Sequence, residues 1–180
     1  YKRYYYKVLN NLEVMLIMFI RNAKESDREE LQELFRSCFG RIAKINGSLE
    51  PVDSRYKVAI ENDKIVAVSG ILPVEQSNYQ GYEITWTCSD YSYRGKGYIT
   101  AILRDCLQEL PDDKIPVYCS CWRVQSNPFI NMIYVMNSLG FKEVTRNRIN
   151  YMHGHTKECV DCIYESDNCF CCEDLWILQR

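Results

Sequence analysis

The chain has 180 residues, 22 Lys and Arg against 24 Asp and Glu, and is 47% hydrophobic and 26% charged. These values describe a globular chain long enough for one domain with its own core, and exclude a disordered or fibrous one. A formal charge of -2 gives no global attraction to nucleic acid or anionic membrane, and the longest apolar run, Val14 to Ile20, is too short to span a bilayer.

Taken in chain order, residues 1–14 are rich in Tyr and basic residues and carry no apolar signal segment with a small-residue cleavage site. They read as a leader or extension without function, Met15 or Met18 being natural starts, and 15–180 as a single domain. Met15 to Arg21 is a short apolar strand. Ser26 and Glu29 have capping-box spacing, and Leu31, Leu34, Phe35, Cys38 and Phe39 repeat as one buried helical stripe that Gly40 ends. Residues 41–55 have no clear period and read as a loop or broken helix.

Tyr56 to Glu61 and Lys64 to Leu72 are strands around Asn62-Asp63, which suits a tight hairpin, with Pro73 ending the second. Tyr82 to Ser89 alternates as a third, completing an antiparallel meander. Ile99, Ile102, Leu103, Cys106, Leu107 and Leu110 then follow the helical period, and Pro111 ends that helix. Ile115 to Trp122 is a strand. Asn127-Pro128 opens a further helix with Phe129, Met132, Ile133 and Met136 on its apolar face and Gly140 as its stop. Phe141 to Arg148 and Glu173 to Leu178 are the last strands. The fold class is α+β: a mixed, mostly antiparallel central sheet flanked by helices.

The junction Tyr93-Arg94-Gly95-Lys96-Gly97-Tyr98-Ile99 carries the chemistry. Glycines between a strand and a helix let the backbone turn tightly and approach a ligand, and the exposed amides with the helix dipole suit phosphate oxygens. Arg94 and Lys96 add positive charge. No Gly-Lys-Ser/Thr follows, so this is not a Walker loop, and a third glycine for a dinucleotide fingerprint is missing.

This pattern resembles the GNAT N-acetyltransferase superfamily, whose acetyl-CoA motif reads Arg/Gln-x-x-Gly-x-Gly/Ala at a strand–loop–helix junction. Arg94 and Gly97 match, and Ile99 stands where Gly or Ala is usual. After a strand and an Asn-led helix, Leu139-Gly140-Phe141-Lys142-Glu143-Val144 is similar to the family's ending, and the opening FIRNAKESDREEL resembles the first strand and helix. The resemblance spans about residues 18 to 150 and the last strand.

It implies transfer of an acetyl or other acyl group from acyl-CoA directly to an amine acceptor, small molecule or peptide. A non-catalytic CoA-binding or zinc-bearing interaction module on the same fold is the alternative. The fold splays its fourth and fifth strands apart around the pantetheine arm. By position, backbone groups of Thr87, Cys88 and Ser89 run beside that arm, one amide polarising the thioester carbonyl, and amides of Gly95, Lys96, Gly97, Tyr98 and Ile99 hold the pyrophosphate. Glu83 is the candidate base that deprotonates the ammonium. Tyr134 is the candidate acid for the leaving thiolate, although the family's usual Tyr position is occupied by Met136, about 200° away around a helix. Asn127 is a candidate CoA contact that its helix-cap position also explains. The resemblance also implies a cytoplasmic monomer or homodimer, and leaves the acceptor open.

Ten cysteines remain to be placed. Cys38, Cys88, Cys106, Cys119 and Cys121 lie among apolar residues, where buried thiols are ordinary packing. The others sit in an insert at 151–172. There Cys159-x-x-Cys162 and Cys169-x-Cys171-Cys172 resemble a zinc knuckle pair, with His153 or His155 as a substitute ligand. Free or disulfide-paired thiols are the other reading of this cluster.

Overall fold

The computed structural model describes residues 2–7, 15–39, 55–76, 79–111, 114–124, 132–149 and 171–180. Its strands are β1 (Lys2–Lys7), β2 (Met15–Asn22), β3 (Tyr56–Glu61), β4 (Lys64–Gln76), β5 (Tyr79–Ser89), β6 (Val117–Val124), β7 (Lys142–Ile149) and β8 (Cys171–Leu178). The helices are α1 (Arg28–Phe39), α2 (Tyr98–Glu109) and α3 (Ile133–Ser138). One eight-stranded sheet runs in the order β1-β2-β3-β4-β5-β6-β8-β7. Every neighbouring pair is antiparallel except β5 and β6, which run parallel.

The hairpin between β3 and β4 follows from its two turn residues. Asn62 and Asp63 have φ of 51° and 61°, the pair of positive values a two-residue hairpin turn requires, and short polar side chains tolerate them. Two apolar layers then form on opposite faces. Leu31, Leu34 and Phe35 of α1 pack on Tyr56, Val58, Val68 and Cys88. Ile99, Ile102, Leu103 and Cys106 of α2 pack on Ala59, Val66, Ile71, Ile84 and Val117, joined by Met136 of α3. Both helices are amphipathic for this reason, and each fully buried Ile or Leu contributes about 1.5–3 kcal/mol by leaving water.

Three local expectations change. Lys2–Lys7, where the sequence suggests no element, pairs with β2 from Lys2 opposite Ile20 to Lys7 opposite Met15. Pro73 does not end β4, which continues to Gln76 with Pro73 opposite Tyr82. β3 pairs with β4 only as far as Gly70, so the missing proline N–H falls beyond the last β3 partner among the described residues. Ser26 does not cap α1: it lies within a 3-10 turn, Glu25–Asp27, that leads into the helix. Asp27 caps that turn instead, accepting from the Lys24 amide at 2.8 Å, because Arg21 grips its carboxylate at 2.6 and 2.9 Å. The described part of α3 is Ile133–Ser138. The proposed cap Asn127, together with Gly40, residues 41–54 and the insert as far as residue 170, lies outside the described residues.

One buried ion pair ties the two helical layers' shared sheet to α2. Lys57 Nζ of β3 lies 2.6 Å from Asp105 Oδ2, and both side chains are buried. Burial opposes the Lys57 ammonium, but its hydrogen bonds to Asp105 and Glu109 outweigh that and raise its pKa. The pair fixes α2, and therefore the loop at its N-terminus, against β3.

Candidate active site

The site begins where β5 and β6 part. Their parallel pairing is confined to Tyr82 opposite Val117 and Glu83 opposite Tyr118. Beyond it β5 runs on to Ser89 and β6 to Val124, so a wedge-shaped gap opens between strands that are still extended. Alternate backbone groups of β5 face this gap, and among the described residues no strand pairs with them beyond Glu83.

A second departure from regular structure lies on the same stretch. The β4–β5 register passes from Val68 opposite Cys88 to Gly70 opposite Thr85, so β5 carries one extra residue. Trp86 takes up the bulge with φ of 47°, a left-handed conformation that an aromatic residue adopts only when its surroundings impose it. Its ring is held edge-on by Phe35, with centroids 5.5 Å apart. Thr87 Oγ1 meets Ser69 Oγ at 2.6 Å, and Tyr56 meets Thr85 Oγ1 at 3.1 Å. The bulge thus re-aims the backbone of residues 86–88 beside the gap. Neither Gly nor Pro announces it in the sequence.

The loop after β5 is built by Asp90. Its Oδ1 accepts from the Ser92 amide at 2.9 Å, its carbonyl from the Tyr93 amide at 2.9 Å, and its Oδ2 binds Lys64 Nζ at 2.7 Å. The Lys64 hydrogen bond, followed by that from Ser92, holds the Asp90 carboxyl below its ordinary pKa. An Asp two residues before a Ser is the usual wording of such a turn, and this signal was legible. The chain then passes Gly95 and Gly97, with φ of 77° and 84°, which explains both glycines.

Gly97 caps α2, and the first backbone bond of the helix runs from Ala101 to the Gly97 carbonyl at 3.0 Å. The amides of Gly97 to Thr100 precede that bond and point out of the helix end with its positive dipole. A Cβ built on Gly95 would meet nothing within 4 Å, so the loop offers open space in front of these amides. Ile99 sends its side chain into the α2 layer, so the residue that replaces the usual small one is spent on the core. Arg94 and Lys96 flank the loop. Arg94 Nε donates to the Ser89 carbonyl at 3.4 Å and its guanidinium covers Tyr91, while Lys96 Nζ lies 4.5 Å from the Tyr93 ring centroid and 3.8 Å from Glu61. An anion reaching the loop therefore meets a helix end and two cations.

Glu83 is half-buried at the last paired position before the gap. By strand alternation it shares a face with Thr85, whose partner Tyr56 belongs to the α1 layer. The phosphate-type loop and this carboxylate thus reach the gap from opposite faces of the sheet. Tyr134 is 80% exposed, while Met136, two residues on, is fully buried. Cys171 and Cys172 lie in β8, opposite Val124 and Arg123 of β6; Cys159, Cys162 and Cys169 lie outside the described residues. Among the described residues no cluster of His, Cys, Asp or Glu has the form of a metal site.

A family model described as an acetyltransferase (GNAT) domain matches residues 19–121, which contain the bulged strand, the loop and α2. The chain belongs to the GNAT acetyltransferase family. The family's chemistry is transfer of an acetyl group from acetyl-CoA to an amine.

Solved structures of the family share the fold. A GNAT acetyltransferase from Streptococcus pneumoniae is 13% identical with a TM-score of 0.61, covering 91% of this chain and 99% of its own. Arabidopsis thaliana Naa50, solved with the bisubstrate analogue CoA-Ac-MVNAL, is 15% identical with a TM-score of 0.59 over 88% of this chain and 97% of its own. The ribosomal-protein-S18-alanine N-acetyltransferase from Escherichia coli is 19% identical with a TM-score of 0.55 over 89% and 90%. This chain spans 33% of the length of a GCN5-related N-acetyltransferase from Kribbella flavida, at 16% identity and a TM-score of 0.50 over 70% of this chain. No curated protein matches the chain.

Proposed function

We propose that this GNAT domain acylates a primary amine, on a small molecule or at a peptide terminus, by direct transfer from acetyl-CoA across the gap between β5 and β6. The observation that carries this is the meeting, at one gap, of an amide-rich helix end on one face and a carboxylate on the other. Acetyl-CoA supplies an activated thioester when bound. The open space at Gly95 and the free helix-end amides fit its pyrophosphate.

In this reading the amides of Gly95 to Ile99 hold the phosphates, with Arg94 and Lys96 as counter-charges. Gap-facing backbone groups of Thr87, Cys88 and Ser89 align the pantetheine arm, and an amide freed by the bulge stabilises charge on the thioester oxygen. Glu83 receives the ammonium and takes its proton, so that the neutral amine attacks. Tyr134, exposed as it is, stays outside this machinery, and water protonates the leaving thiolate. Neighbours crystallised with, or named for, peptide and protein amines make α-amines the first acceptors to try.

Two further parts of the reading concern the rest of the chain. The cysteines at 159, 162, 169, 171 and 172 hold a structural zinc with no step in the reaction; metal analysis of the purified protein tests this, and a zinc-free folded protein refutes it. The protein acts in the cytoplasm, where acetyl-CoA and reduced thiols coexist. No helix among the described residues is long and apolar enough to cross a membrane.

The test is acetyl-CoA consumption with a panel of peptides, polyamines, arylalkylamines and amino acids. Amine-dependent CoA release, with an acetyl group gained by the amine, is the expected result. CoA binding without turnover on any amine would favour the non-catalytic module instead.

A further inference from the structure

Two thiols that acyl transfer does not use meet at the base of the CoA loop. Cys38 lies in the last turn of α1 and Cys88 near the end of β5, fifty residues apart in sequence. Both are free thiols; Cys88 is buried and Cys38 is partly open to solvent. Cys38 packs against the apolar layer that contains Cys88, and its sulfur reaches the backbone of Ser89, the residue after Cys88. Cys38 Sγ also lies 3.4 Å from the Ser89 carbonyl and 3.7 Å from Ser37 Oγ. Arg94 reaches the same point: its Nε donates to that Ser89 carbonyl.

We propose that Cys38 and Cys88 form a peroxide-responsive thiol pair that closes to a disulfide beneath the CoA loop. The two sulfurs have different tasks. The Cys88 thiol, opposed by burial and aided by Ser37 and Arg94, lowers the Cys38 pKa to about 6, so Cys38 is the nucleophile near neutral pH. Cys38, together with burial, pushes the Cys88 thiol far up and keeps it protonated.

In the first step the Cys38 thiolate attacks one oxygen of hydrogen peroxide. The O–O bond breaks, hydroxide leaves, and the sulfur is oxidised by two electrons to a sulfenic acid. The sulfenic acid no longer carries the charge that held the Cys88 proton in place. The Cys88 sulfur then attacks the Cys38 sulfur, the S–S bond forms, and the S–O bond breaks. The departing hydroxide takes the Cys88 proton as water. An external dithiol reverses the bond by exchange. Closure sets the two sulfurs about 2.05 Å apart and ties the end of α1 to β5.

A consequence for the cosubstrate rests on the acyltransferase reading. Phosphates that draw Arg94 outward remove its charge from Cys38. Bound acetyl-CoA therefore slows the oxidation.

The experiment exposes the full chain to hydrogen peroxide, blocks remaining thiols with N-ethylmaleimide, and maps cross-linked peptides by mass spectrometry. A Cys38–Cys88 peptide that dithiothreitol dissolves is expected. Cys38→Ser abolishes it, and in Cys88→Ser the Cys38 sulfenic acid persists and is captured by dimedone. In the wild-type protein, alkylation of Cys38 by iodoacetamide has a midpoint near pH 6. Oxidation confined to cysteines 159–172, or a Cys38 midpoint of an ordinary thiol, overturns the pair. Repeating the oxidation with saturating acetyl-CoA slows the cross-link several-fold. An unchanged rate with acetyl-CoA demonstrably bound refutes the coupling through Arg94, whereas failure of acetyl-CoA to bind refutes the reading of the loop and leaves the cross-link result standing.

Discussion

Replacing Lys57 by Met tests whether α2, which presents the loop, is pinned to the sheet by a buried charge pair. The side chains of Lys57 and Asp105 are 5% and 4% exposed and 2.6 Å apart, so removing the ammonium takes an ionic partner from a buried carboxylate. Breaking such a pair costs about 3–5 kcal/mol, far more than a surface bridge. Glu109 also lies 2.6 Å from Lys57 but is 51% exposed, so its share is under about 1 kcal/mol. For a chain of this size the loss corresponds to a fall in melting temperature of roughly 6–20 °C.

The sign with pH follows from the raised Lys57 pKa. The contribution is full below the unfolded value of 10.5 and is lost as pH rises through the higher folded value. The difference between wild type and K57M in urea midpoint is therefore constant from neutral pH to about pH 10 and shrinks only in stronger alkali. Replacing both partners, Lys57→Met with Asp105→Leu, recovers most of the loss, because an apolar pair carries no desolvation cost. Urea titration followed by circular dichroism measures all three proteins. A K57M protein within about 1 kcal/mol of wild type would show that the pair is solvated and would refute the reasoning.

Three further outcomes follow from the site and its surroundings. Gly97→Ala forces a Cβ onto a residue with φ of 84°, at a cost of about 1–2 kcal/mol, and tilts the helix-end amides. Acetyl-CoA affinity by calorimetry falls about tenfold, and unchanged affinity would remove these amides from the site. Glu83→Gln keeps the shape and removes the base, so kcat falls about 10²-fold or more with KM for acetyl-CoA unchanged, and raising the pH recovers part of the rate; a rate equal to wild type at neutral pH would exclude Glu83, and Tyr134→Phe changes kcat less than about twofold. Acid weakens the fold through Asp27: hydrogen bonds from Arg21, against burial, hold its carboxyl below its ordinary value of 3.8, so its contribution is full above that value and lost as pH falls through the folded one. Asp27→Asn flattens the acid limb of a pH-dependent urea series, and an unaltered limb would contradict this.

The parts of the fold that were legible are those whose cause is local. Asn62-Asp63 demands a hairpin, Gly97 demands a left-handed helix entry, and the spacing of Ile99, Ile102, Leu103 and Cys106 demands an amphipathic helix, so these could be read residue by residue. The parts that were not legible have tertiary causes. Trp86 carries no mark of a bulge, because the register between β4 and β5 and the packing of Phe35 impose it. Lys57 reads as one side of an alternating strand until Asp105 arrives from α2, and Cys38 reads as packing until α1 brings it to Cys88. Pro73 reads as a stop because the sequence does not show that β3, among the described residues, pairs with β4 only as far as Gly70. At the site, the turn of the glycine loop is legible for the same local reason, whereas Tyr134 stands out only as the one tyrosine on its helix, and its orientation depends on which face Met136 buries.

The most direct measurement is an amide NMR titration of the labelled protein with acetyl-CoA. Saturable shifts concentrated at Gly95 to Thr100 and at Trp86 to Ser89, with smaller ones along the facing residues of β6, are the predicted result. Shifts that avoid both segments, or none at millimolar acetyl-CoA, would contradict the assignment of the gap as the acyl-CoA site.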